Sequence, residues 1–366
     1  MSLKIALMPG DGIGPEVTEE AVRILKNVAE HTGRAFVFST HAIGGVAIDT
    51  EGTGLPERTL EAALGSDAVL LGAVGHPKFD GRLPSERPEA ALLALRQALG
   101  GFANLRPALY YSSLAKRTPF QPDRVKGANL LIVRELLGGL YFGEPRGFEA
   151  SGDTAFNTLI YSRHEIERVA KVAFERARER RKKVASIDKA NVLETSRLWR
   201  AVVSEVGTAY PDVELEHVYV DTAAMRLATS PTSFDVMLCD NLFGDILSDQ
   251  AASIAGSLGV LPSATIGGRV DLYEPVHGSA PDIAGKALAN PIGAIASAAM
   301  LLRFSANMEK EAAEIDHAIE EALAGGARTK DLAGPGERVL STREMGQAIE
   351  EALHEVRDRK HSYHGV

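Results

Sequence analysis

Residues 9–15 read Pro9-Gly10-Asp11-Gly12-Ile13-Gly14-Pro15. An apolar run, Ile5–Met8, precedes them. An amphipathic stretch follows, with Val17, Ala21, Ile24, Leu25 and Val28 on one face. A strand, a glycine-rich turn and a helix in this order mark the place where a Rossmann dinucleotide fingerprint would lie. That fingerprint needs glycine at its first, third and sixth positions. Counted from Gly10, the sixth position is Pro15 and the last glycine falls on the fifth. No acidic residue closes a second strand about 20 residues on, because Asn27–Thr32 still lies in helix-like sequence. The segment therefore reads as a tight strand-to-helix turn, with Pro15 in the first helical turn. A bound dinucleotide would need another segment to hold it.

The same unit recurs along the chain. Ala68–Val74, Asn129–Val133, Val184–Ile187, Val218–Val220 and Val236–Cys239 are apolar runs of strand length, each followed by a turn or polar residues. The alternation predicts an α/β fold with a largely parallel sheet. At roughly 100–200 residues per domain, 366 residues correspond to about two domains. With 45% apolar and 24% charged residues, the chain has material for a core and a solvated surface. Cys239 is the one cysteine, which excludes an internal disulfide and a Cys-based zinc site. No apolar run approaches the ~18 residues of a membrane span. Met1-Ser2-Leu3-Lys4 leads into the first strand with no cleavage-site pattern, so a cytoplasmic location is expected. The net charge of −9 argues against nucleic acid as a partner. It leaves room for an anionic small molecule held by converging arginines. The charge-rich stretch 163–183 carries Ile166, Val169, Ala170 and Ala173 at helical spacing and reads as a solvated helix face.

Polar residues of catalytic type cluster just after the strand runs: Arg134, Lys189, Asp221 and Asp245. In open α/β sheets the ligand crevice lies beyond the carboxyl ends of the strands. Asp245 and Asp249 are four apart in Asp245-Ile246-Leu247-Ser248-Asp249, so a helix there projects both from one face. Such a pair is either a solvated face or a site for Mg²⁺ or Mn²⁺, which take hard oxygen ligands. Apolar Leu242, Phe243, Ile246 and Leu247 place it beside buried surface. Arg96, Arg106 and Arg134 adjoin apolar runs. They are either ordinary ion-pair partners or forks for a dicarboxylic acid. Gly138-Gly139-Leu140-Tyr141 makes a turn that presents an aromatic hydroxyl, and Lys189 follows a strand. Near a metal these two can serve as acid and base. In the segment Glu274–Lys286, followed by Asn290, small residues permit close backbone approach. There Asp282 can accept both hydroxyls of a ribose and would repel a 2′-phosphate, which favours NAD over NADP. The same segment would also serve as a plain Gly/Pro surface loop.

Together these residues resemble the decarboxylating β-hydroxyacid dehydrogenases, the isocitrate/isopropylmalate dehydrogenase family. The resemblance runs from Pro9 to Met345. It is most specific in the Tyr141 segment, in Asn241–Asp249 and in the His277–Lys286 loop. It implies a two-domain, non-Rossmann α/β fold with mixed sheets flanked by helices. A discontinuous cofactor domain would span 1–101 plus 256–366, and a substrate, metal and dimerisation domain 102–255. It implies that Arg96, Arg106 and Arg134 hold malate carboxylates and that Asp221, Asp245 and Asp249 bind Mg²⁺ or Mn²⁺. It further implies that Lys189 and Asp221 face the site of a second copy, so that an obligate homodimer shares its active sites. His277, Gly278, Ser279, Ala280, Asp282 and Asn290 would form the NAD adenosine site. Gly75–Glu89 would form a second cofactor wall, with His76 in it and Glu89 near the nicotinamide ribose. NADP-using relatives carry lysine and tyrosine at the positions of Asp282 and Ile283.

The implied reaction is oxidative decarboxylation of (2R,3S)-3-isopropylmalate to 4-methyl-2-oxopentanoate and CO₂ with reduction of NAD⁺, a step of leucine biosynthesis. Lys189 would be the general base and Tyr141 the acid that protonates C3. Leu92 and Leu93, one turn before Arg96, offer an apolar surface for an isopropyl group. A sister enzyme of the tartrate or malate type is the alternative reading. The chain departs from the family pattern at Ala90-Ala91, where Thr or Arg followed by Gly is usual, and at His76, where a second glycine is usual.

Overall fold

The computed structural model describes residues 2–363, with side chains through Arg359. In chain order its strands are β1 (Leu3–Gly10), β2 (Phe36–Thr40), β3 (Ala68–Ala73), β4 (Ala103–Leu109), β5 (Asn129–Glu135), β6 (Gly147–Phe148), β7 (Ala155–Phe156), β8 (Lys183–Asp188), β9 (Glu214–Tyr219), β10 (Val236–Cys239), β11 (Pro262–Ile266) and β12 (Asp271–Pro275). The chain forms two compact units. The first comprises the residues through Gly100, Tyr111–Thr118, and those from Ala255 onward; the second comprises Gly101–Tyr110 and Pro119–Ile254.

In the first unit the strand order is β2-β1-β3-β12-β11. All neighbours are parallel except the β11–β12 hairpin. β3 is buried along its whole length, as a parallel strand covered on both faces must be. Ala6, Met8, Val69, Leu71 and Leu272 pack on one side with Leu95 and Leu99 of the helix Pro88–Leu99. The helix Ile292–Phe304 is buried from Ile292 through Leu302 and is apolar on every side. It can be so because the helices Gly14–Thr32 and Glu309–Ala324 pack against it, together with β11 and β12. Tyr111–Thr118 joins this unit, not the second as the boundary at 102 implies. Arg328 donates to the Ser113 carbonyl and Arg117 to the Ala333 carbonyl, which ties the segment down.

In the second unit the order is β4-β5-β10-β8-β9, antiparallel between β4 and β5 and parallel elsewhere, with a separate β6–β7 ribbon. The helix Arg163–Arg178 starts with a capping box between Ser162 and Glu165 and buries Ile166, Val169, Ala170, Ala173 and Phe174. Its charged face is solvated, as the spacing predicts. Two local readings change. The strand expected at Val218–Val220 is β9, which ends at Tyr219, so Asp221 lies in the first turn of the helix Val220–Thr229. Arg134 lies inside β5 and does not follow it. The α/β class with mixed sheets stands.

One buried acid of the first unit has a consequence for stability. Glu20 is buried on the helix Gly14–Thr32, where Gly346 of the helix Thr342–Tyr363 lets its carboxylate approach closely. Burial pushes its pKa up to about 7, against the pull of Arg23. The unfolded carboxyl titrates near the ordinary value of 4.5. The folded chain therefore takes up a proton between these values, and stability falls as pH rises through that window. Glu20→Gln is expected to raise Tm at pH 8 by a few degrees, the effect of about 2 kcal/mol. Thermal unfolding followed across pH should show the advantage vanish near pH 4. An advantage independent of pH would contradict this account.

Candidate active site

The second unit builds a compact polar cluster on an antiparallel register. β4 and β5 pair so that Asn104 lies opposite Arg134. Arg106, two residues on, shares the face of Asn104 because side chains alternate along a strand. Both arginines are buried, Arg134 at 2% and Arg106 at 8% exposure. A buried guanidinium keeps its charge and must find acceptors. Arg134 donates through Nε and Nη2 to Asn241 Oδ1, at 3.0 and 2.7 Å, and through Nη1 to Asp245. Arg106 donates through Nε to Asn104 Oδ1 at 2.7 Å and through Nη1 to Ser248 Oγ at 2.7 Å. Its Nη1 also faces Asp245 at 3.3 Å and Asp249 at 3.8 Å.

Asp245 and Asp249 do share one face of a helix, Asn241–Ala255. Of the flanking apolar residues Leu247 is buried, Leu242 and Phe243 are half-buried and Ile246 is exposed, so only part of that flank adjoins the interior. Burial and the neighbouring Asp245 raise the Asp249 carboxyl above the ordinary value, while Arg106 draws it down. Tyr141 closes the turn Gly139–Tyr141, in which Gly139 takes a φ of 72° with the Tyr161 hydroxyl crowded against it. The Tyr141 hydroxyl donates to Asp245 Oδ2 at 2.7 Å, and the Arg134 guanidinium lies over its ring at 5.5 Å. Burial first, and this hydrogen bond next, push the Tyr141 pKa up to about 12.

Lys189 and Asp221 form a pair of their own, Nζ to Oδ1 at 2.7 Å. The Lys189 ammonium holds the Asp221 carboxyl below its ordinary value. Among the described residues no three His, Cys, Asp or Glu side chains converge as a metal cage. Asp245 and Asp249 alone supply two carboxylates. That suits Mg²⁺ or Mn²⁺, which bind through one or two carboxylates together with substrate and water.

The remaining expected residues lie in the first unit. Leu92 and Leu93 are half-buried on the helix Pro88–Leu99. Arg96, in the last turn, pairs with Glu274 at 2.6 Å. Glu89 and His76 are exposed, and His76 accepts the Lys78 N–H. In the loop after β12, His277 Nε2 is buried without a hydrogen-bond partner. Burial lowers the pKa of that ring. An orphaned ring nitrogen beside exposed Gly278 and Asp282 fits a loop built to receive a polar ligand such as the adenosine of NAD. Ser279 is buried and its carbonyl is held by the Ile13 N–H at 2.8 Å. Asn290 is otherwise engaged. Its Oδ1 caps Ile292 and its Nδ2 donates to Asp331, so its side chain is part of the fold.

A family model for isocitrate/isopropylmalate dehydrogenase matches residues 4–349. The chain belongs to this family. It is 54% identical over 354 residues to 3-isopropylmalate dehydrogenase of Moorella thermoacetica, covering 96% of this chain and 99% of that one. It is 55% identical to the enzyme of the same name from Priestia megaterium, with 95% of each chain covered. Among solved structures, isocitrate dehydrogenase from Methylococcus capsulatus superposes with a TM-score of 0.86 at 37% identity, covering 96% of this chain and 99% of that one. A β-decarboxylating dehydrogenase from Thermococcus kodakarensis superposes with a TM-score of 0.79 at 38% identity, with 96% of each chain covered. The chain is thus a dehydrogenase of the isocitrate/isopropylmalate type.

Sequence reasoning missed the residues that position this dehydrogenase's polar groups. Asn241 is the clearest case. It is fully buried, its oxygen accepts twice from Arg134, and its amide donates to the Leu136 and Gly138 carbonyls. It therefore joins the guanidinium to the turn that carries Tyr141. The available signal was an amide at the start of an otherwise apolar helix, within a segment already singled out for its aspartates. Asn241→Leu, with the same branching and number of side-chain heavy atoms, leaves both sides unpaired. It is expected to lower kcat/KM for the hydroxyacid at least a hundredfold, about 2.7 kcal/mol. Steady-state kinetics on folded protein checks this, and wild-type kinetics would remove Asn241 from the site.

Proposed function

We propose that this dehydrogenase oxidatively decarboxylates 3-isopropylmalate, with NAD⁺ as oxidant and Mg²⁺ or Mn²⁺ at Asp245 and Asp249, as a step of leucine biosynthesis. The observation that carries the reading is the cluster of Arg106, Arg134, Tyr141 and Asp245, in which two fixed cations, a phenol and a carboxylate share direct hydrogen bonds. When bound, the divalent cation supplies Lewis-acid polarisation and NAD⁺ the hydride acceptor. The chain's own groups do the rest. Asp245 and Asp249 would hold the cation, and Arg106 and Arg134, which bond Asp245 here, would bind a substrate carboxylate. Arg96 takes the second carboxylate, and Leu92 and Leu93 meet the isopropyl group. Tyr141 holds its proton on Oη, its pKa lying far above neutrality, and delivers it to C3 after CO₂ leaves. Lys189, in its neutral amine form, accepts the proton of the 2-hydroxyl. His277, Gly278, Ser279 and Ala280 line the adenosine end of NAD, Asp282 selects the unphosphorylated ribose, and Glu89 and His76 flank the nicotinamide side.

We further propose a homodimer in which Lys189 and Asp221 complete the site of the second copy, Asp221 as third carboxylate. Exposed apolar Val192, Met225 and Ile246 support this. Met225 and Ile246 lie on neighbouring helices linked by the Gln250 bond to the Ala224 carbonyl, and such a patch marks an interaction surface. Tartrate and malate are the competing substrates.

NADH formation from 3-isopropylmalate is expected in the presence of Mg²⁺ and lost with chelator, with tartrate and malate poorer in kcat/KM by orders of magnitude. Tyr141→Phe and Lys189→Ala are each expected to lower kcat by about a hundredfold or more, the contribution of a positioned acid or base. Wild-type turnover in both variants would overturn the assignment.

A further inference from the structure

The turn that fails as a dinucleotide fingerprint carries a buried acid. Asp11, within Gly10-Asp11-Gly12, is 5% exposed and makes no salt bridge among the described residues. Its charge is met by backbone dipoles instead. Oδ2 accepts the Gly45 N–H at 2.7 Å and the Gly75 N–H at 2.9 Å, and Oδ1 accepts the Val46 N–H at 2.8 Å. Gly44, with a φ of 80°, lies so close that a Cβ there would sit 2.5 Å from Asp11 Oδ2. This carboxylate is walled in and fully used.

The three donors come from two segments, Gly45–Val46 and Gly75. Gly75 opens the wall that runs to Glu89, and a Cβ on it would lie 2.8 Å from Glu89 Oε1 and 3.6 Å from Ser279 Oγ. The two residues after Asp11 hold the other wall. Ile13 donates to the Ser279 carbonyl at 2.8 Å, and a Cβ on Gly12 would lie 1.9 Å from that same oxygen. Only a glycine backbone permits that approach. One turn therefore grips Gly75 through a carboxylate and Ser279 through an N–H. The same turn thus contacts both the Gly75–Glu89 segment and the His277–Asn290 loop.

We propose that Asp11 is a positioning residue for NAD, fixing the spacing of the two segments that receive it without touching the cofactor itself. The proposal rests on the reading of these segments as the NAD site. Asp11→Asn tests it, because an isosteric amide turns one acceptor oxygen into a donor facing backbone N–H groups. NADH binding, followed by protein fluorescence without turnover, is expected to weaken about tenfold, with a matching rise in KM for NAD⁺. KM for 3-isopropylmalate and kcat at saturating NAD⁺ are expected to stay within about twofold, a split that general loosening of the fold would not produce. A folded Asp11→Asn that binds NADH like wild type overturns the role of Asp11 alone. A wild-type chain that does not bind NADH overturns the cofactor reading, and Asp11's role with it. Should Asp11→Asn not fold, Asp11→Ser, which keeps one acceptor, is read the same way. Failure of both to fold assigns Asp11 to the fold alone and overturns the proposal.

Discussion

A guanidinium placed in the interior cannot shed its charge. Arg134, nearly inaccessible near the carboxyl end of β5, imposes that condition on the second unit. Its surroundings must bring acceptors to it, and they come from the helix that follows β10. Asn241 supplies an amide oxygen at the start of that helix and Asp245 a carboxylate one turn on. Arg106 enters by the register of β4 on β5 and leans on Asn104 and Ser248. The turn that carries Tyr141 is tied to the same Asn241 amide. The same two buried cations are the groups that the proposed anionic substrate would meet.

The first unit solves the opposite problem. Asp11 is a buried anion, and N–H dipoles stabilise it in place of a cation. Dipoles of the main chain cannot be exchanged for a ligand, so this carboxylate holds structure in place. Asp245 differs because its side chain is about one-third exposed and its partners are side chains, not main-chain N–H groups. That exposure distinguishes Asp245, the proposed cation ligand, from the walled-in Asp11.

The core was legible wherever burial on both faces forces an unbroken apolar run, as in β1, β3, β8 and β10. It was not legible in β2, whose residues are largely exposed, nor in β4, where Asn104, Arg106 and Pro107 interrupt the run. Val220 was misplaced because a helix start and a strand end look alike over three residues. Among polar groups, Asp245, Asp249, Tyr141 and the arginines stood out by type and setting. Asn241 and Asp11 did not, since an amide at a helix start and an acid in a tight turn have ordinary uses there. Their importance appears only when their partners are known.

The sequence by itself determined the α/β class, the failure of the Rossmann fingerprint and the family, because apolar periodicity and short motifs are local properties. Only the tertiary structure decided which groups are paired. Asn241 and Arg134 are 107 residues apart, Arg106 and Asp245 are 139 apart, and Arg96 and Glu274 are 178 apart. Such pairings follow from strand register and helix docking, which depend on the packing of the whole chain. The chemistry could therefore be named residue by residue, while the hydrogen bonds that aim it had to await the fold.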